Sequence, residues 1–147
     1  MYSSTTQFRV KYSETDQMGY VYYGNYAQYY EIGRAELFRN IGISYCQLED
    51  DGFFMPVSEM YIKYKRPAKY DNLLTIKTTI KQIKGVRIYF YYELFNEDDK
   101  LLNYGETTMY FVSKKTMKPA KPPEWFVKEL SKYIEFEEDE KNKNYGL

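Results

Sequence analysis

The stretch YSETDQMGYVYYGNY, residues 12–26, decides how the rest of the chain is read. Just ahead of it and into its first residue, Gln7 to Tyr12 sets Phe8 and Val10 against Arg9 and Lys11, the alternation of a short strand. Within it, Asp16, Gly19, Gly24 and Asn25 are turn formers, so residues 13–25 are expected to be a loop. Downstream, Tyr26 to about Asn40 predicts a helix, because Tyr26, Tyr30, Gly33, Leu37 and Ile41 recur at helical spacing and share one face. Asn25 is its expected N-cap and Gly42 its expected stop. Gln28, Glu31 and Arg39 point elsewhere, with Glu31–Arg34 and Glu36–Arg39 spaced to pair one turn apart. A glycine inside a helix costs roughly 1 kcal/mol against alanine, so Gly33 on the inner face implies a close backbone approach. A helix pressed onto a curved sheet needs that.

Read as chemistry, this arrangement puts one carboxylate, Asp16, on a loop that runs into a helix N-terminus. The first N–H groups of a helix have no intrahelical partner, and its dipole is positive there. Such donors suit a polarised carbonyl or a developing oxyanion. A nearby carboxylate can act as base on water or attack an acyl carbon itself. The same residues would serve if Asp16 only shaped a turn and the glycines only punctuated it.

The second half reads as strands. Phe54 to Lys65 is one, ending at Pro67, with a turn over residues 68–72. Leu74, Ile76, Thr78 and Ile80 alternate with Thr75, Lys77, Thr79 and Lys81 in the next. Gly85 turns the chain into Val86 to Asn96, whose Ile88, Phe90, Tyr92 and Leu94 share a face. Residues 97–100 make a polar hairpin before a last strand, Leu101 to Val112. Such long runs predict a strongly twisted, curved sheet. Residues 114–123 are a Lys/Pro-rich link, and Glu124 to about Phe136 predicts a short helix using Trp125, Phe126, Leu130, Tyr133 and Ile134. The expected organisation is one α+β domain over residues 1–136, a long helix wrapped by an antiparallel sheet, followed by a charged tail over 137–147.

Composition narrows the function. Lys+Arg and Asp+Glu are 21 each, so the basic excess of a nucleic-acid binder is missing. The chain of 147 residues has no histidine and one cysteine, Cys46. That excludes Ser-His-Asp and Cys-His triads and an intramolecular disulfide, and it leaves no ligand set for a structural zinc site. Carboxylate, tyrosine, lysine or backbone groups must carry any catalysis. Residues 1–7 lack the apolar core of a signal peptide, and no apolar run approaches the roughly 20 residues that span a bilayer. A cytoplasmic protein is expected. Aromatic residues make up 20%, with 19 Tyr, which suits strands, interfaces and apolar pockets with a polar handle.

The segment from Asp16 through Gly19-Tyr20-Val21 and Tyr22-Tyr23-Gly24-Asn25-Tyr26 resembles the signature of the 4-hydroxybenzoyl-CoA thioesterase-like branch of the hot-dog superfamily. The likeness continues through Glu31 to Arg39, Pro56-Val57, Tyr64, Pro67-Ala68 and Tyr70-Asp71, and follows the strands to about Val112. It implies hydrolysis of an acyl-CoA or aryl-CoA thioester. Asp16 would be base or nucleophile, and the Tyr23 and Gly24 N–H groups would polarise the carbonyl. Many relatives carry a histidine between positions 22 and 24, and this chain does not. A thiol that ionises near pKa 8.5 needs little acid assistance, so the absence is chemically acceptable.

The resemblance further implies a dimer or tetramer with the acyl site between subunits. Tyr12, Gly19, Val21 and Asn25 would line it, with Ser58 and Glu59 facing it from a second subunit. Lys65, Arg66, Lys84 and Arg87, at strand ends, are candidates to hold the pantetheine and nucleotide phosphates. Coenzyme A is then part of the substrate, and no cofactor or metal is called for. The alternatives on the same fold are an acyl-carrier-protein thioesterase and a non-catalytic acyl-thioester binder; a hydratase normally needs the missing histidine.

Overall fold

The computed structural model describes residues 1–138. The helix α1 runs Tyr26–Asn40, led in by a 3-10 turn at Tyr23–Asn25. Its expected inner face is buried throughout: Tyr26, Tyr30, Gly33, Leu37 and Ile41. Gly42 ends it in the left-handed conformation (φ 82°), as a glycine stop should. Asn25 is not the expected side-chain cap. Its own backbone is already helical, and its Nδ2 donates instead to the Glu14 carbonyl at 2.9 Å.

Five long strands form the main sheet: β1 (Tyr2–Arg9), β3 (Val57–Tyr64), β4 (Leu73–Lys84), β5 (Arg87–Phe95) and β6 (Leu101–Tyr110), in the antiparallel order β1-β4-β5-β6-β3. The inward faces of β4 and β5 are those expected, with Leu74, Ile76, Thr78, Ile80, Ile88, Phe90, Tyr92 and Leu94 all buried. Register shifts at residues 80–82 of β4, 94–95 of β5 and 57–59 of β3 supply local bends. Pro56 splits the expected strand 54–65 into β2 (Phe53–Phe54), which pairs with β7 (Val112–Ser113), and β3.

Three elements depart from expectation. β1 begins at Tyr2, not Gln7, because Ser4 and Thr6 take inward positions as small hydroxyl residues and leave no apolar alternation to read. A short helix α2 (Tyr45–Asp50) carries Cys46 and is capped by the Ser44 side chain, which accepts from the Gln47 N–H at 3.3 Å. The C-terminal helix α3 is shorter than expected, Glu124–Leu130, after which β8 (Phe136–Glu137) pairs in parallel with β4. Trp125 fixes α3 by donating its indole N–H to Asp51. Glu137 thus belongs to the sheet, and the tail expected from there lies, for residues 139–147, outside the described residues. No helix of the described residues is long and apolar enough to cross a membrane.

α1 lies along the concave face of the sheet, close enough to explain its glycine. A Cβ at Gly33 would collide with the Thr78 hydroxyl and press Ile76 Cδ1 at 3.2 Å. Tyr30 stacks on Tyr92 with ring centroids 4.2 Å apart, and a Cβ at Gly105 would fill the space its ring uses. The helix therefore runs from the sheet end holding Tyr64 and Ala68, which Tyr26 touches, toward the end holding Phe90 and α3.

Candidate active site

Glu14, which sequence reasoning passed over, ties the loop to the helix. Its carbonyl accepts from the Tyr22 N–H and the Asn25 side chain, both at 2.9 Å. Its carboxylate accepts from the Lys11 N–H at 2.7 Å and the Tyr29 hydroxyl at 3.0 Å. Burial first, and the Glu14 charge second, raise the Tyr29 phenol far above its ordinary range, so it remains a donor at any physiological pH. The only sequence signal for this role is the position of Glu14 three residues after Lys11, which suits the short 3-10 turn at Tyr12–Glu14.

Asp16 sits in the turn that follows. Its Oδ1 accepts from the N–H groups of Met18 (2.9 Å) and Tyr20 (3.2 Å), and its backbone N–H donates to the Tyr20 carbonyl at 2.7 Å. Gly19 closes the turn at φ 80°, a conformation that favours glycine. Oδ2 takes no hydrogen bond from the described residues. The turn-forming and the chemical readings of Asp16 are therefore compatible, since one oxygen shapes the loop and the other is spare. Asp16 also lies within electrostatic reach of Tyr26, the first residue of α1. Burial chiefly, and the Tyr64 and Asp16 charges to a lesser degree, push the Tyr26 phenol up against the opposing Ala68 N–H.

Tyr23 and Gly24 open the 3-10 turn at the helix mouth, and both are exposed. Among the described residues neither N–H donates to a protein acceptor, as the first positions of a helical segment require. Tyr12, Thr15, Asp16, Tyr22 and Asn25 border an open depression of about 660 Å³ here. Tyr12 stands in edge contact with Tyr70, centroids 5.5 Å apart.

The remaining expected residues divide. Val21 is a correction: it is buried in the core, and its N–H bonds the Ala68 carbonyl at 2.8 Å, so it holds the loop down rather than facing a ligand. Lys65 and Arg66 stand at the same sheet end as Asp16, where the isolated bridge of Tyr20 to Lys69 joins the loop to the segment after β3. Arg66 already donates to the Leu101 carbonyl at 3.0 Å. Lys69, unremarked in the sequence, places its ammonium 5.9 Å from the Tyr20 ring centroid. Lys84 and Arg87 lie at the opposite end, across the full length of β5 and β6, with Arg87 donating to the Tyr110 hydroxyl at 3.1 Å. The four cations do not surround one mouth within a single chain. Ser58 and Glu59 sit near that far end on the exposed edge strand β3, Ser58 donating to the Thr108 carbonyl at 3.1 Å. The Glu36–Arg39 pair forms, but Glu31–Arg34 does not, because Arg34 turns inward and is buried.

Comparison with known proteins adds the rest. The Thioesterase superfamily pattern (4HBT) matches residues 18–103, beginning two residues after Asp16. The chain is 33% identical over 119 residues to the putative acyl-CoA thioesterase YneP of Bacillus subtilis, covering 81% of this chain and 86% of that protein. It is 33% identical over 131 residues to the acyl-CoA thioester hydrolase YbgC of Escherichia coli, covering 86% and 98%. Among solved structures, a DHNA-CoA thioesterase from Staphylococcus aureus superposes with a TM-score of 0.80 at 31% identity, covering 91% of this chain and 85% of the other.

Proposed function

This chain belongs to the thioesterase superfamily and has its hot-dog fold, and from that premise we propose that it hydrolyses acyl-CoA thioesters at the mouth of α1. The thioester carbonyl accepts from the Tyr23 and Gly24 N–H groups, which stabilise negative charge as it develops on that oxygen. Asp16, through its spare Oδ2, takes a proton from a water whose oxygen attacks the carbonyl carbon. The tetrahedral intermediate collapses with the electron pair leaving on sulfur. The coenzyme A thiolate departs near its own pKa without a dedicated acid, as a chain lacking histidine requires. Lys65 and Lys69, with Arg66 beside them, supply positive charge for the phosphates at this end of the sheet.

The observation that carries this reading is the Glu14 tie, which fixes the Asp16 turn against a helix start whose Tyr23 and Gly24 N–H groups meet no acceptor among the described residues. The test is thiol release from a panel of acyl- and aryl-CoA thioesters, with the same acyl groups on carrier protein run in parallel. Asn at position 16 can still accept at Oδ1, so Asp16→Asn keeps the turn and removes only the base. A fall in kcat of roughly a hundredfold or more is expected. Unchanged turnover would remove Asp16 from the mechanism.

A second copy completes the site. Edge strand β3 exposes Val57, Met60, Tyr61 and Tyr64 among Ser58, Glu59 and Lys63, an edge with more apolar surface than the opposite edge strand β1, which exposes Ser3, Thr5, Gln7 and Arg9. Antiparallel pairing of two β3 strands about a two-fold axis sets the Val57 end of one copy beside the Tyr64 end, and so the Asp16 loop, of the other. Ser58, Glu59, Lys84 and Arg87 then reach a site only across that interface. Sedimentation should give a dimer or tetramer for the native chain and a monomer of low turnover for Met60→Lys combined with Tyr61→Lys. An active monomer would sink the shared site.

A further inference from the structure

Among the described residues Arg34 is the one buried charged side chain. It lies on α1 with only 7% of its surface exposed, and no carboxylate among the described residues pairs with it. Nη1 donates to the Tyr92 hydroxyl at 2.9 Å, and that hydroxyl is 2.6 Å from Thr107 Oγ1. Nε has no protein partner. Tyr45, on α2, lies beside the guanidinium, whose charge and hydrogen-bonding pull act on its phenol, yet its buried hydroxyl meets no partner at full hydrogen-bond geometry. Burying a charge with no carboxylate beside it and a hydroxyl with no well-aligned partner is unfavourable, and an acceptor placed between the two would satisfy both.

Both groups line a cavity of about 540 Å³ whose other walls are apolar, including Leu48, Phe53, Phe54, Met109 and Val112. Glu31 and Glu49 stand at its exposed rim. Pro56 and Val57 border it, so it opens at the beginning of β3. In the β3-paired dimer this is the end that meets the Asp16 loop of the other copy.

Resting on the thioesterase reading above, we propose that this cavity receives the acyl group and that Arg34 and Tyr45 select acyl groups carrying an oxygen acceptor at their far end. The apolar walls take the carbon skeleton, while the Nε–H and the Tyr45 O–H converge on the terminal oxygen. Burial keeps the tyrosine protonated and therefore a donor, although the neighbouring guanidinium acts in the opposite direction. A carboxylate is the stronger acceptor for a buried guanidinium, and a hydroxyl the weaker. Arg34 and Tyr45 touch the substrate remote from the thioester, so they set specificity and not the chemical step.

The experiment compares adipoyl-CoA, 6-hydroxyhexanoyl-CoA and hexanoyl-CoA, which share a chain and differ at its end, in the full-length protein. Native enzyme should favour an oxygenated substrate over hexanoyl-CoA by roughly tenfold or more in kcat/KM. Arg34→Met and Tyr45→Phe should each shrink that ratio. Should Arg34→Met fail to fold, Arg34→Lys and Tyr45→Phe carry the same comparison. In parallel, calorimetry measures adipate against hexanoate on native protein and Tyr45→Phe, and adipate should bind more tightly to the native form alone. A native preference for hexanoyl-CoA, or a ratio that none of the variants moves, overturns the assignment. If no thioester is turned over but adipate binds in the Tyr45-dependent manner, the hydrolase reading fails and the oxygen-selective cavity stands.

Discussion

The mouth of α1 and its third turn are built from the same kinds of residue, and they meet opposite surroundings. At the mouth, Tyr23 and Gly24 face solvent, with their N–H groups left open and a carboxylate one loop away. Two turns on, Tyr30, Gly33 and Arg34 are sealed against β4, β5 and β6, with hydroxyls and rings packed at contact distance. The glycine at the mouth leaves backbone accessible, whereas Gly33 removes a side chain so that two backbones can close. Polar groups left free in water cost little, and polar groups left free in the interior cost a great deal. Chemistry can therefore be placed at the mouth without weakening the fold, and the third turn must satisfy its polar atoms internally or hand them to a ligand.

The largest expected effect that separates the two regions comes from Tyr23→Pro. Tyr22 is extended (φ −60°, ψ 129°), as the residue before a proline prefers, and proline is tolerated at the first position of a helical turn. The substitution removes one N–H together with the Tyr23 ring, which packs on Tyr22, and Tyr23→Ala removes the ring alone. Turnover should fall by about 10²–10³ with the unfolding free energy nearly unchanged, while Tyr23→Ala, which keeps the N–H, retains most activity. Equal losses in the two variants would mean that the side chain, not the backbone donor, matters there.

The reverse pattern is expected in the middle of the helix. Tyr92→Phe removes the hydroxyl that receives Arg34 and meets Thr107, and should lower stability by about 1–3 kcal/mol in chemical denaturation. The same variant sharpens the pH dependence. Burial pushes the Tyr92 phenol up to about 12, against the pull of Arg34 and Thr107. The unfolded chain releases that proton near its ordinary value of about 10, and the folded chain holds it until about 12. Stability from this group is complete below pH 10 and falls as pH rises toward 12, because the unfolded state then binds fewer protons. Tyr92→Phe should flatten part of that alkaline decline; an unaltered slope would assign it to other buried tyrosines such as Tyr30.

Much of this was legible beforehand. The bounds of α1, its inner face, the glycine stop and the buried faces of β4 and β5 are local consequences of spacing, and spacing is written in the chain. The position of Asp16 on a loop leading to the helix start was legible too. The Ser/Thr-rich β1, the α2 helix and the Glu14 tie were not, since each depends on partners distant in sequence or on polar residues that carry no apolar period. Val21 misled because a residue inside a functional loop can still point into the core. Lys84 and Arg87 could not be placed relative to Lys65 and Arg66, because strand-end cations look alike in sequence, while strand direction sets the two pairs at opposite ends of the sheet within one chain.

The sequence by itself determined which residues form the central helix, which faces of the long strands turn inward, and that any catalysis, in the absence of histidine, must fall to carboxylate, tyrosine, lysine or backbone groups. Tertiary structure alone decided that Arg34 leaves its neighbour Glu31 for the interior, that Glu14 holds the Asp16 turn, and that one sheet edge exposes only polar side chains while the other exposes large apolar ones as well. The physical reason is range. Periodicity and capping act within a few residues, whereas burial of a charge and the fate of a sheet edge depend on what distant segments bring alongside.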